Sequence, residues 1–126
     1  MKKEFLVGLI AVAAATGASM AQAAAVQICS GGSAASGTQV TGTAGTNFVI
    51  VNFTPKCSTN VVLYGQDNTT YYSVAGGSTK GQTIFIGSSA GGGVKANGPG
   101  TGTGGVVVTT DISGANGIQA ATLISS

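Results

Sequence analysis

The stretch Asn47–Phe53, NFVIVNF, decides how the rest of the chain is read. Taken as an extended segment, it sets Phe48 and Ile50 on one face and Val49, Val51 and Phe53 on the other. Both faces are apolar, which is the pattern of a central strand buried on both sides. Pro55 closes the run, because proline has no N–H to give to a ladder.

Working outward, similar β-branched and aromatic runs recur, separated at short intervals by Gly, Ser, Thr and Asn. The expected strands are Ala25–Cys29, Thr38–Thr41, Asn47–Phe53, Thr59–Tyr64, Thr70–Ala75, Gln82–Ile86, Val106–Ile112 and Ile118–Ile124. Nothing beyond the N-terminal apolar run reads as helix. The clearest hairpin is VVVTTDISGANGIQAATLIS, where Asn116-Gly117 can supply the two positive-φ residues of a tight type I′ turn. The pattern predicts an all-β fold: a small immunoglobulin-like β-sandwich or open barrel of about seven to eight short antiparallel strands with one disulfide. No fixed period of repetition is present, which argues against a solenoid.

Between two of these runs lies Ser88–Gly105, SSAGGGVKANGPGTGTGG, with eight glycines in eighteen residues. Its Gly100–Gly105 portion matches the G-x-G-x-x-G pattern, which binds a dinucleotide only between a strand and the start of a helix. Here the pattern follows Pro99 and runs into the β-type VVVTT, so the match is chance. The reading is a long, mobile surface loop at residues 88–105, with Val94–Ala96 as a brief pairing stretch and Asn97-Gly98 turning. Ordering so many glycines is costly, so neighbouring subunits are the expected source of any order.

The N-terminus reads as a secretory signal peptide over residues 1–23. Lys2 and Lys3 precede the uncharged apolar run Phe5–Met20, and Ala21-Gln22-Ala23 is a small-x-small cleavage site. The run is about four residues short of the roughly 20 that a spanning helix needs, so no membrane span is expected after cleavage. A type IV prepilin would carry a glycine directly before the apolar run and a glutamate inside it, and neither is present. Residues 24–126 then form a single β-rich domain. That domain holds three lysines (Lys56, Lys80, Lys95), two aspartates (Asp67, Asp111), and no Arg, His, Trp or Glu. So few charges make no basic stripe, which excludes nucleic acid as a partner class. Low charge with many Val, Ile and Phe is the opposite of a disordered composition.

Cys29 and Cys57 are the only cysteines. An even pair in an exported chain is expected to form a disulfide, which places the protein in an oxidising compartment. A redox or metal role needs C-x-x-C spacing or histidine partners, and neither exists.

Catalysis has little to work with. General acid–base chemistry takes a histidine or a carboxylate pair, and the two aspartates sit far apart, in a turn and late in an expected strand. Ser78-Thr79-Lys80 reads as a polar hairpin turn and not a Ser–Lys pair, and a Lys–Asn cross-link lacks its usual glutamate. No enzyme activity, cofactor or metal site is expected. The T-x-T copies Thr41-Gly42-Thr43 and Thr101-Gly102-Thr103 are too few for an ice-binding ladder. Tyr64, Tyr71 and Tyr72 could stack on a glycan, although core positions suit them better.

A further feature is what the strands lack. Soluble β proteins guard exposed edges with lysine, proline or inward charge, because a bare edge recruits another chain. Here all three domain lysines fall in expected turns, and the only charge in an expected strand is Asp111. With so little net charge, such a chain is expected to associate with itself.

The segments VQICSGG and VIVNFTPKCSTNVVLYG resemble the two-cysteine region of bacterial chaperone–usher pilins, particularly the spore-coat-U-like branch. The resemblance covers Val26 to Tyr64 and implies that Cys29 and Cys57 bridge the first strands of an incomplete sandwich completed by a neighbour's strand. It implies a homopolymer as the partner set, with a periplasmic chaperone and an outer-membrane usher assisting. The donor strand is expected at Val26–Ile28 or in GIQAATLIS, which makes Val26, Ile28, Ile118, Leu123 and Ile124 the candidate assembly residues. The expected function is a structural subunit of an extracellular fibre or pilus, built by β-strand addition. The alternative is a soluble secreted module that binds a glycan through the tyrosines or the glycine loop.

Overall fold

The computed structural model describes residues 23–124. The expected signal peptide therefore lies outside the described residues, except for Ala23. Seven strands form two antiparallel sheets among these residues. The larger has the order β1-β4-β5-β6-β7, and the smaller pairs β2 with β3. The strands are β1 Val26–Ser30, β2 Ala35–Ser36, β3 Lys56–Cys57, β4 Val61–Asp67, β5 Tyr72–Ser78, β6 Thr83–Ser88 and β7 Lys95–Pro99. The fold is mostly β, as expected, and the sheets do not close into a barrel.

The middle of the large sheet is a meander in which each turn follows from local chemistry. At the β4–β5 turn, the Thr69 N–H donates to Asp67 Oδ1 at 2.9 Å and Thr69 takes a positive φ of 71°. At the β5–β6 turn, the Gly81 N–H donates to the Ser78 carbonyl at 2.8 Å. The register places Val62, Gly77 and Ile84 side by side, and likewise Tyr64, Ala75 and Ile86. Alternation along the strands then sends all of these to one face.

That face is covered by helices. Val106–Ile112 and Ile118–Ile124, expected as a hairpin, instead form the short helices α1 Thr109–Ser113 and α2 Ile118–Leu123. Ile112, Ile118 and Ala121 join Val62, Ala75, Ile84, Ile86 and Val107 in the main core. Full burial of each such Ile or Val stabilises the fold by roughly 1.5–3 kcal/mol. Val107 fills the gap over Gly77, where an added Cβ would lie 2.9 Å from the Val107 side chain. Gly117 does not make the expected turn: its φ is −110°, and the Asp111 and Ile112 carbonyls crowd the space where a side chain would go.

Asp111 anchors this layer. Its Oδ2 accepts the N–H groups of Val108 (2.9 Å) and Thr101 (3.0 Å), and its Oδ1 accepts the Thr101 hydroxyl at 2.6 Å. Burial alone would raise its pKa, but the Thr101 hydroxyl and the two N–H groups outweigh burial and hold it below the usual carboxylate value. It is a buried helix residue and not the expected strand-end charge.

The glycine-rich stretch is also ordered within the chain. Lys95–Pro99 pairs with β6 as β7, and beyond it Gly100 and Gly102 pack against the backbone and side chain of Val106. The expected free loop is thus a strand followed by a tight turn, because glycine alone lets two backbones approach so closely. Lys56 and Lys95 lie in strands β3 and β7, and only Lys80 lies in a turn as expected.

Candidate assembly surface

The opposite face of the sheet carries a smaller core of Ile28, Cys29 and Val40, flanked by Val49, Cys57, Leu63 and Tyr72. It is covered by one irregular hairpin spanning residues 35–57. The hairpin begins as the β2–β3 ribbon, continues through the Gly37 N–H to Pro55 carbonyl bond (2.7 Å), and reaches the Val40–Phe53 bridge. Its base is tied to β1 by the Cys29–Cys57 disulfide, with a Cα–Cα distance of 5.6 Å. A bulge in β1 between Gln27 and Cys29 allows both Ile28 and Cys29 to be buried beneath it.

The hairpin's far end is held by Asp67. The Phe48 and Val49 N–H groups donate to its two carboxylate oxygens, each at 2.9 Å, in addition to the Thr69 bond. Desolvation would raise the Asp67 pKa, but the Val49, Phe48 and Thr69 N–H groups outweigh it and lower the value. Across the strand pair sits Tyr72, whose ring drapes over Gly65. Burial, and then the Asp67 charge, raise the Tyr72 hydroxyl pKa.

Asn47–Phe53 is therefore not the central strand its pattern predicts. Val49 turns toward the sheet, while Ile50 is 64% exposed and Val51 69% exposed, with Phe48 and Phe53 nearly half exposed. The Ile50 and Val51 backbone lies across Gly42, leaving no room there for a side chain. No backbone hydrogen bond among the described residues engages the N–H or C=O of Ile50, Val51 or Asn52. Three consecutive residues thus combine free main-chain groups with two large exposed aliphatic side chains. The both-faces-apolar pattern is the sequence signal for this segment, but the same pattern fits a buried central strand and an exposed arm.

A second apolar area lies on the same sheet face, beyond the hairpin's cover. Phe85 is 47% exposed and Val94 70% exposed, and Val94 leans over Gly87 beside Val74. This area borders β7, the outermost strand at that end of the sheet.

The candidate assembly residues scatter. Val26 is exposed at the start of β1, while Ile28 is buried against the disulfide. Ile118 is a core residue at 1% exposure, Leu123 of the same helix is 74% exposed, and Ile124 packs against the core. The tyrosines do not form one platform: Tyr64 packs on the main core, Tyr72 on the smaller one, and the Tyr71 hydroxyl donates to the Thr122 carbonyl at 3.2 Å. Asp67 and Asp111 occupy opposite faces of the sheet, each saturated by donors. No cluster of three or more potential metal ligands occurs among the described residues. No protein-family model, curated protein or solved structure matches the chain.

Proposed function

We propose that this protein is a structural subunit of an extracellular bacterial fibre, exported through the periplasm and assembled into a homopolymer by β-strand addition. The observation that carries this reading is the hairpin arm Ile50–Asn52, with its free main-chain groups and exposed apolar side chains on a nearly uncharged domain. Such a segment is a ready template for another chain, and burying it against a neighbour satisfies both the backbone and the side chains. The resemblance of Val26–Tyr64 to chaperone–usher pilins supports the same assignment and brings a periplasmic chaperone and an outer-membrane usher as assembly partners. The role is mechanical and not enzymatic, and the disulfide suits an oxidising route to the cell surface.

A second reading, a soluble binding module, draws on one feature. A cleft of about 190 Å³ lies between the hairpin and the sheet, lined in part by Val40, Asn47, Asp67 and Tyr72. Its polar groups are largely engaged within the chain, which favours the fibre. Sedimentation of purified mature protein, with microscopy of producing cells, separates the two. Filaments that contain this chain by mass spectrometry support the fibre, and a chain that stays monomeric at high concentration sinks it.

A further inference from the structure

We propose that signal cleavage after Ala23 completes this fold: the α-ammonium it frees at Ala24 is the counter-ion of Asp67 and fastens the hairpin spanning residues 35–57 to the sheet. The inference rests on the export step of the fibre reading and gives that step a structural consequence. The geometry is set by register. Val26 stands opposite Gly65, and Gln27 opposite Tyr64, on β4. Two residues further out, the same register puts Ala24 opposite Asp67. Directly opposed residues have Cα atoms roughly 4.5–5.5 Å apart. The chain stays extended beyond the start of β1, because Ala25 packs on the main core while Ala24 and Val26 line the cleft on the other face, with Gly65, Asp67 and Tyr72.

Asp67 otherwise lacks a counter-ion. Its carboxylate accepts the Phe48, Val49 and Thr69 N–H groups, which are neutral donors and leave the negative charge uncompensated. Among the described residues no cationic side chain acts on it. Lys56 Nζ donates to Ser36 Oγ at the hairpin's base, Lys80 lies in the β5–β6 turn and Lys95 in β7. The other titratable group facing the cleft is the Tyr72 hydroxyl on β5, and the hairpin contributes Gln39, Val40, Thr41 and Asn47, none of which titrates. While Ala23 remains bonded to Ala24, the Ala24 nitrogen is a neutral amide. Hydrolysis of that peptide bond by one water gives an Ala23 carboxylate, which leaves with the signal, and an Ala24 ammonium, which stays beside Asp67. Cleavage after Ala25 would leave the ammonium at Val26 instead, about 7 Å further along the strand. It would also remove Ala25 from the core. Because Asp67 holds Phe48 and Val49, processing strengthens the grip on the hairpin that presents Ile50–Asn52.

The test uses protein recovered from producing cells. Its intact mass should show a chain that begins at Ala24. In that chain, NMR titration of the Ala24 methyl signal should give an α-amine pKa about half a unit above the usual range of about 7.7–8.0. Asp67→Asn should return it to that range. Acetylating the α-amine should weaken folding at pH 6 by a factor of about three, read as a melting temperature lower by roughly 2–5 °C. Because the folded pKa of the amine is raised, its stabilising effect is complete below the unfolded value and is lost as pH rises through the folded one. Acetylated and free chains should therefore melt within about 1 °C of each other at pH 10, a pH dependence that a merely structural N-terminus would not give. The amine titration is made on the unaltered chain, so it decides the matter even where Asp67→Asn does not fold. An α-amine that titrates at its ordinary value, or a mature chain that begins at Val26, overturns the pairing and leaves the fibre reading standing. Protein that keeps Met1 in every cell fraction, with no filaments on the cells, overturns both.

Discussion

Replacing Asp111 tests whether one buried carboxylate holds the helical layer on the sheet. Its three hydrogen bonds join Thr101, in the glycine-rich stretch, to Val108 at the start of α1. Asp111→Ala leaves two N–H groups and a hydroxyl without their acceptor. Hydrogen bonds to a charged group contribute about 1.5–3 kcal/mol each but are not additive within one cluster, so the loss should be roughly 2–4 kcal/mol. For a domain of this size that lowers the melting temperature by roughly 10–25 °C. Asp111→Asn keeps the shape: its carbonyl oxygen still accepts both N–H groups, and the Thr101 hydroxyl can rotate to accept from the amide. It loses charge assistance only, so about 1 kcal/mol is expected at neutral pH. The folded pKa of Asp111 is lowered, so its stabilising effect is complete above the unfolded value of about 4 and is lost as pH falls through the folded value. Thermal melts by circular dichroism at pH 7 and pH 2 read both effects. The gap between wild type and Asp111→Asn should narrow as pH is lowered from 7 to 2, in the direction set by the lowered pKa. An Asp111→Ala protein that melts within about 2 °C of wild type at pH 7 would refute the anchoring role. A gap that does not change with pH would refute the contribution of charge.

Cys57→Ser opens the bond that ties the hairpin to β1 and should cost roughly 3–4 kcal/mol by the loop-closure argument, read as a lower urea midpoint; labelling of both cysteines in native unreduced protein would contradict the bridge. Within the glycine-rich stretch, Gly91→Ala meets open space and should be neutral, whereas Gly100→Ala drives a methyl into the Val106 carbonyl and should cost about 1–3 kcal/mol in the same urea experiment. Ile118→Lys places an unpaired charge in the main core and should abolish folding or cost about 4 kcal/mol or more, while Leu123→Lys should stay within about 0.5 kcal/mol of wild type. Equal tolerance of the two α2 changes in thermal melts would show that Ile118 is not a core residue.

Much of the sheet was legible because its signals are local. The runs around Val62, Val74 and Ile84 are β-branched and aromatic, and Asn68-Thr69 and Ser78–Gly81 punctuate them, so β4, β5 and β6 appear within a few residues of their expected places. The lone pair of cysteines, in a chain whose N-terminal residues read as an export signal, likewise called for a disulfide, and Cys29–Cys57 is one. Short apolar runs are harder, because a strand and a helix are equally ready to bury them. Val106–Ile112 has the composition of a strand, yet Asp111 finds Thr101 ten residues upstream and sets a helical turn at Val108. Ile118 and Ala121, three positions apart, then face the same core. The glycines at 100 and 102 carry no periodic signal, and only the approach of Val106 shows what they are for.

The sequence alone shows that NFVIVNF is apolar in both sets of alternate positions and without charge. Tertiary structure decided that it would not be central. A sheet has two faces, and each accepts one layer. Helices α1 and α2 occupy the first face through Ile112 and Ile118, while the second takes Val40 and Val49 beneath the hairpin. Among the described residues, nothing covers the other side of the hairpin at Ile50 and Val51. Burial depends on which surfaces are still vacant when the chain has folded, and that is a property of three-dimensional neighbours that no local pattern encodes.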